Sequence, residues 1–156
     1  MLSRREALSA AAGAASNGLI KRAPAKDGPE EALMAFLRAF EDCDLPRMEA
    51  AFARDATCFD RAPREAGDLV RYRRKTGMPD GMRQLAMNLP KSAAGPPYQR
   101  IDPRNLACDV YGEIALCTFE LDGPDSLGRR TIILRRQEGG WKIIHIHASN
   151  VYPKAE

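Results

Sequence analysis

Apolar residues recur at Leu33, Phe36, Leu37 and Phe40, the spacing of one helix face, and predict a helix from Pro29 to Cys43. Pro29 suits its first turn, where a missing N–H costs nothing. Asp44 can cap a second helix, with Pro46 near its start and Met48, Ala51 and Phe52 on one face. At "DATCFD", Asp55 to Asp60, the period changes toward two and a short strand is expected. Residues 64–90 read as one or two more helices, broken at "TGMPDGM" by Gly77, Pro79 and Gly81. Downstream, "YQRIDPRNLACDV", "EIALCTFELDG", "RRTIILRRQEGG" and "WKIIHIHASNVY" read as strands in series. Their joints are Tyr111-Gly112, Asp122 to Gly128, and Glu138-Gly139-Gly140, short and glycine-bearing, as antiparallel hairpins require. Helices first and a meander afterwards predict an α+β fold, with N-terminal helices packed on one face of a curved antiparallel sheet.

Composition narrows the class. A chain of 156 residues has room for one domain with a real core, and 44% apolar with 29% charged residues is ordinary for a soluble globular protein. No apolar run approaches the roughly 18 residues that a membrane helix requires. The net charge of +3 sits mostly at one end, where Arg4, Arg5, Lys21 and Arg22 face Glu6 alone. Without residues 1–25, 24 basic and 21 acidic residues become 20 of each, so no nucleic-acid partner is expected.

"MLSRREALSAAAGAAS" places Arg4-Arg5 before a mildly apolar, alanine-rich segment, the layout of a twin-arginine export signal. Residues 1–25 are therefore expected to be a leader and 26–156 the working domain. The mature protein would be periplasmic and without a membrane segment. A helical or disordered tail on a cytoplasmic protein is the alternative, since alanine also favours helix. Cys43, Cys58, Cys108 and Cys117 show no metal-type spacing and are expected to be unpaired, although an oxidising compartment permits disulfides.

Two segments carry a resemblance. "FEDCDLPRMEAAFARDATCFD" is similar to the helix–helix–strand opening of SnoaL-like members of the nuclear transport factor 2-like superfamily. "GRRTIILRRQEGGWKIIHIHASN" resembles their closing hairpin, an ending also similar to that of the calcium/calmodulin-dependent kinase association domain. The resemblance covers residues 29–152 and implies a cone of the cystatin-like kind, a bent antiparallel sheet with three helices around a pocket. It also implies a homodimer formed through the sheet. The superfamily includes isomerases, cyclases, dehydratases and assembly modules, so the fold alone assigns no reaction.

By the same resemblance Asp60 matches the general base of ketosteroid isomerase, a role that burial would favour by raising its pKa. A turn cap paired with Arg61 or Arg64 is the alternative. The position of that enzyme's oxyanion-stabilising phenol is held by Phe36, which has no donor, so the same isomerisation is not expected. The arginines of the kinase-domain pocket are replaced by Ala148 and Thr118. Phe36, Phe40, Phe59, Ile144 and Ile146 are expected to line the pocket beside Thr118 and Ala148.

Strict alternation puts Trp141, Ile143, His145, His147 and Ser149 on one face of the last strand. The kinase-domain comparison puts Ala148 on the pocket side, so Trp141, His145 and His147 would face outward in a structural or dimer role. His145 and His147 lack an obvious third ligand, and no metal or other cofactor is expected. "RYRRKTG", Arg71 to Gly77, reads as a solvated face. The expected partner is a small apolar molecule. A lyase or isomerase using Asp60 and a dimerisation module are the competing readings.

Overall fold

The computed structural model describes residues 27–59, 77–92 and 94–152. Residues 1–25, Asp60, and residues 61–76, including the run from Arg71 to Thr76, lie outside the described residues.

Helix α1 runs Pro29–Glu41. Pro29 occupies its first turn, Glu30 and Glu31 meet the positive end of its dipole, and Arg38 stands in the last turn. Leu33, Phe36, Leu37 and Phe40 are buried, as their spacing requires. The helix stops where Cys43 enters the left-handed region at φ 55°. Its N–H returns to the Phe40 carbonyl at 3.0 Å and that of Asp44 to Ala39 at 2.9 Å, which satisfies two otherwise orphaned carbonyls. The Asp44 side chain then accepts from the Arg47 N–H at 3.1 Å and caps α2, Leu45–Ala50.

Helix α2 ends sooner than the apolar face Met48, Ala51 and Phe52 suggests. The Ile143 N–H donates to the Ala51 carbonyl at 2.8 Å, and this draws the chain onto the sheet. Phe52 therefore opens strand β1, Phe52–Phe59, three residues before Asp55. Helix α3 is Asp80–Ser92, preceded by Gly77 at φ +93°, so the expected break falls ahead of this helix.

Strands β2 (Arg104–Tyr111), β3 (Ile114–Asp122), β4 (Leu127–Gln137) and β5 (Gly140–Val151) form the antiparallel meander. Strand β1 joins it beside β5 in parallel, giving a mixed sheet of order β1-β5-β4-β3-β2. Helix α1 lies across β3 and β5. Its apolar face packs on Phe119, Ile132, Leu134 and Ile143 to make the core.

The β4–β5 register slips once. Ile133 pairs with His145 and Leu134 with Ile143, so Ile144 is a spare residue in a β-bulge. The bulge reverses the phase of the strand. Trp141 and Ile143, 8% and 1% exposed, turn toward the helices, as do Ile146 and Ala148 further on. Trp141 is thus a core residue, with the Arg136 guanidinium 5.7 Å from its ring centroid, and not part of an outward face.

The cysteines also differ from expectation. Cys108 and Cys117 are directly opposed across β2 and β3, with Cα atoms 4.1 Å apart, and form a disulfide. Each stands three residues outside the Tyr111–Ile114 pair that closes the hairpin, so register alone brings them together. Cys43 and Cys58 are not disulfide-bonded.

Candidate functional site

The concave side of the sheet and α1 enclose a cavity of about 520 Å³. This is within the range of small-molecule sites, roughly 300–1,000 Å³. Its apolar walls come from three directions. Helix α1 supplies Phe36, Leu37 and Phe40; the sheet supplies Cys58, Phe119, Leu121, Ile132 and Ile146; α3 supplies Met82 and Leu85. Gln99 and Ile101 complete the wall before β2. That segment is tied to the end of α1, because the Tyr98 N–H donates to the Glu41 carbonyl at 2.8 Å and the Ile101 N–H donates to the Glu41 carboxylate.

Polar residues gather at one end, where β3 turns into β4 and β5 finishes: Asp122, Gly123, Ser126, Arg130 and Asn150. Arg130 is the cation among the described residues that line the cavity. Its Nη1 donates to the Ser149 carbonyl at 3.0 Å, to the Arg129 carbonyl at 3.0 Å, and to Asn150 Oδ1 at 3.4 Å. Asn150 Nδ2 in turn donates to Ser126 Oγ at 3.4 Å. Gly128 makes room for this group: a methyl there would stand 3.0, 3.1 and 3.2 Å from Nη1, Nη2 and Cζ of Arg130. Asp122 is engaged by Arg104.

Of the residues expected at the pocket, Phe36, Phe40, Ile146 and Ala148 line the cavity. Two do not. Thr118 is exposed on the opposite face, because Cys117 and Phe119 take the inward positions of β3. Ile144 is the spare residue of the bulge and is absent from the lining. The Phe59 side chain lies outside the described residues, as does Asp60; the neighbouring Cys58 lines the cavity. Phe36 meets Phe52 edge-to-face at 5.4 Å between centroids, so this wall presents no hydroxyl to a ligand.

His145 and His147 occupy the other face of β5. His145 Nδ1 is 2.6 Å from Thr57 Oγ1, which also lies 3.3 Å from the Ile144 carbonyl. Burial, and secondarily the neighbouring His147, push the His145 pKa below the usual histidine value. Among the described residues no three His, Cys, Asp or Glu side chains come together as a metal site would require, and no helix is long and apolar enough to cross a membrane.

In the sequence Arg129 and Arg130 read as a solvated edge, and Asn150 is not singled out; Arg130 instead lines the cavity. A signal for Arg130 existed: Ile132 and Leu134 are buried, and counting back by two along β4 leads to Arg130 and Gly128.

The SnoaL-like domain family matches residues 30–153. This chain belongs to it. Its fold is that of the nuclear transport factor 2-like superfamily. Solved structures agree on the fold. A nuclear transport factor 2-like protein of unknown function from Pseudomonas putida is 19% identical, with a TM-score of 0.58 over 81% of this chain and 93% of that one. A candidate dehydratase of the same superfamily from Streptomyces avermitilis is 21% identical, with a TM-score of 0.57 over 80% and 94%. A candidate ketosteroid isomerase from Parabacteroides distasonis is 24% identical, with a TM-score of 0.53 over 80% and 89%. At these identities the likeness establishes the SnoaL-like cone and leaves the chemistry to the site. No curated protein matches the chain.

Proposed function

We propose that this SnoaL-like domain binds a small, largely apolar molecule in the cavity between α1, α3 and the sheet. The observation that carries the reading is the cavity itself: about 520 Å³, with largely apolar walls and most of its polar groups where β3 turns into β4 and β5 ends. A domain whose helices serve only to cover the sheet would fill that space with side chains. An isomerase or lyase reading with Asp60 as base rests on the resemblance of its segment to ketosteroid isomerase, and Phe36 supplies no donor on the α1 wall. Binding is therefore the function that the described geometry supports best.

The Cys108–Cys117 disulfide supports the further proposal that the protein works after export to an oxidising compartment. The outer face of the sheet, with His145 and His147, is the surface we assign to a second copy. Periplasmic fractionation and sedimentation test these two points.

The binding test is to fill the cavity. Ala148→Trp places a large side chain on the lining, and the open space limits the overpacking cost to the lower part of the usual range, about 1 kcal/mol. Phenylnaphthylamine, a neutral probe that fluoresces in apolar surroundings, is expected to bind the native protein. Its affinity for the variant should fall about tenfold or more. Equal binding to both would remove the cavity as the site.

A further inference from the structure

Among the described residues, the cavity lining carries two charged side chains, Asp122 and Arg130, one of each sign. Both are engaged within the protein. Arg104 pairs with Asp122, while Arg130 Nη1 donates to the Ser149 and Arg129 carbonyls and to Asn150 Oδ1. We propose that the ligand is an uncharged molecule with a neutral oxygen head, an alcohol or a ketone, which accepts a hydrogen bond from Ser126. This rests on the binding reading and names the ligand class.

The charge balance is the first support. A ligand carboxylate would have to win Arg130 from its carbonyls, and a ligand ammonium would have to win Asp122 from Arg104. Either ion would otherwise leave water without a counter-charge, which burial among apolar walls makes costly. A neutral head avoids both costs.

The hydrogen-bonding groups left for a ligand are themselves neutral. Ser126 Oγ accepts from Asn150 Nδ2 at 3.4 Å, and its own proton has no acceptor among the described residues. Gln99, half-buried on the lining, hydrogen-bonds to none of the described residues. Once a ligand displaces water, a donor left unmet weakens binding, so the ligand must bring an acceptor.

The Ser126 hydroxyl is also held in place before any ligand arrives. The Gly123 N–H donates to the Ser126 carbonyl at 2.9 Å, which closes the joint between β3 and β4. Gly123 makes room for this closure, because a methyl there would stand 3.0 Å from that carbonyl oxygen and 3.2 Å from Oγ. A donor fixed in advance loses little freedom when a ligand binds. At the roughly 30 Å³ that liquid water takes per molecule, 520 Å³ holds about seventeen non-hydrogen atoms, room for an aryl or medium-chain alkyl alcohol.

Displacement of phenylnaphthylamine at pH 7.5 by phenylbutanol, phenylbutyrate, phenylbutylamine and butylbenzene tests the assignment. The native protein is expected to bind the alcohol about tenfold or more tighter than either ion. Ser126→Ala should weaken the alcohol about three- to tenfold, the size of one neutral hydrogen bond, and leave butylbenzene within about twofold. Gln99→Lys adds a positive charge to the lining and should strengthen phenylbutyrate binding about tenfold without strengthening the alcohol. This variant carries the test if Ser126→Ala fails to fold.

Native binding of either ion as tight as the alcohol overturns the assignment. So does an alcohol affinity that Ser126→Ala leaves unchanged or lowers equally with butylbenzene, or an acid affinity unmoved by Gln99→Lys. In each case native butylbenzene binding keeps the cavity reading intact. If the native protein binds neither phenylnaphthylamine nor any of these compounds, the cavity reading falls and this assignment falls with it.

Discussion

Deleting Ile144 is the sharpest test of how β5 is built. The strand presents Trp141 and Ile143 to the helices in its first half, and Ile146, Ala148 and Asn150 in its second, which strict alternation forbids. Ile144 is the residue that absorbs the change of phase. Without it one half must face the wrong way. If the cavity half keeps its place, Trp141 and Ile143 turn out of a core in which they are 8% and 1% exposed. Truncating a buried tryptophan costs about 3–5 kcal/mol and a buried isoleucine about 2–5, so losing both burials costs about 5–10 kcal/mol. That is comparable with the whole stability of a domain this size, about 5–15 kcal/mol. If the first half keeps its place instead, Ile146 leaves the core and the cavity loses its β5 wall. The control is Ile144→Ala, which keeps the residue count and trims a half-buried side chain outside the core cluster, at about 1 kcal/mol. Urea denaturation followed by the single tryptophan and by far-ultraviolet circular dichroism reads both variants. A deletion that unfolds within about 1 kcal/mol of the alanine variant would show that the bulge does not set the phase.

Two further predictions follow from the sheet. The Cys108–Cys117 bond closes a loop with a sequence separation of 9, so reduction by dithiothreitol should cost about 2.7 kcal/mol through loop closure, read as a lower urea midpoint. Denatured but unreduced protein should titrate as two thiols, from Cys43 and Cys58; four would refute the pairing. His145 has a folded pKa below its unfolded value of about 6.5, so the unfolded chain binds the proton more readily. Its contribution to stability should be full above about pH 6.5 and decline as pH falls below that value toward the folded pKa. His145→Gln should therefore flatten the loss of stability between pH 7.5 and 5.5, and an unchanged slope would assign the pH dependence elsewhere.

The parts of this fold legible in the sequence are those that local physics decides. The i, i+3, i+4, i+7 spacing of Leu33 to Phe40 set α1, Asp44 announced α2, and glycine-bearing joints marked the hairpins. The bulge was hidden because "IIHIH" offers an apolar residue to either face, so no local signal favours one phase. The parallel seat of β1 depends on contacts between Phe52 and Ile143, far apart in the chain. The disulfide needed only the hairpin register, whereas composition and spacing suggested unpaired cysteines. Arg130 was obscured by its neighbour Arg129 and by the apolar run Ile132, Ile133, Leu134, which blurs the alternation that separates the two faces of β4.

These gaps share a consequence for function. Trp141 must face the helices to close the core, and Asn150 must face the cavity to meet Arg130, yet the two are an odd number of positions apart on one strand. Regular alternation from Trp141 would put Asn150 on the outer face, and with it the amide that steadies the guanidinium. The same bulge that seals one end of the cone therefore assembles the polar end of the cavity at the other. With Phe36 in place of a phenol, the α1 wall offers no donor, and the polarity available to a ligand is concentrated where β4 begins and β5 ends. The cavity has an apolar body and a polar end, set by the two halves of β5. The phase of a single strand thus links the stability of this SnoaL-like cone to the make-up of its cavity.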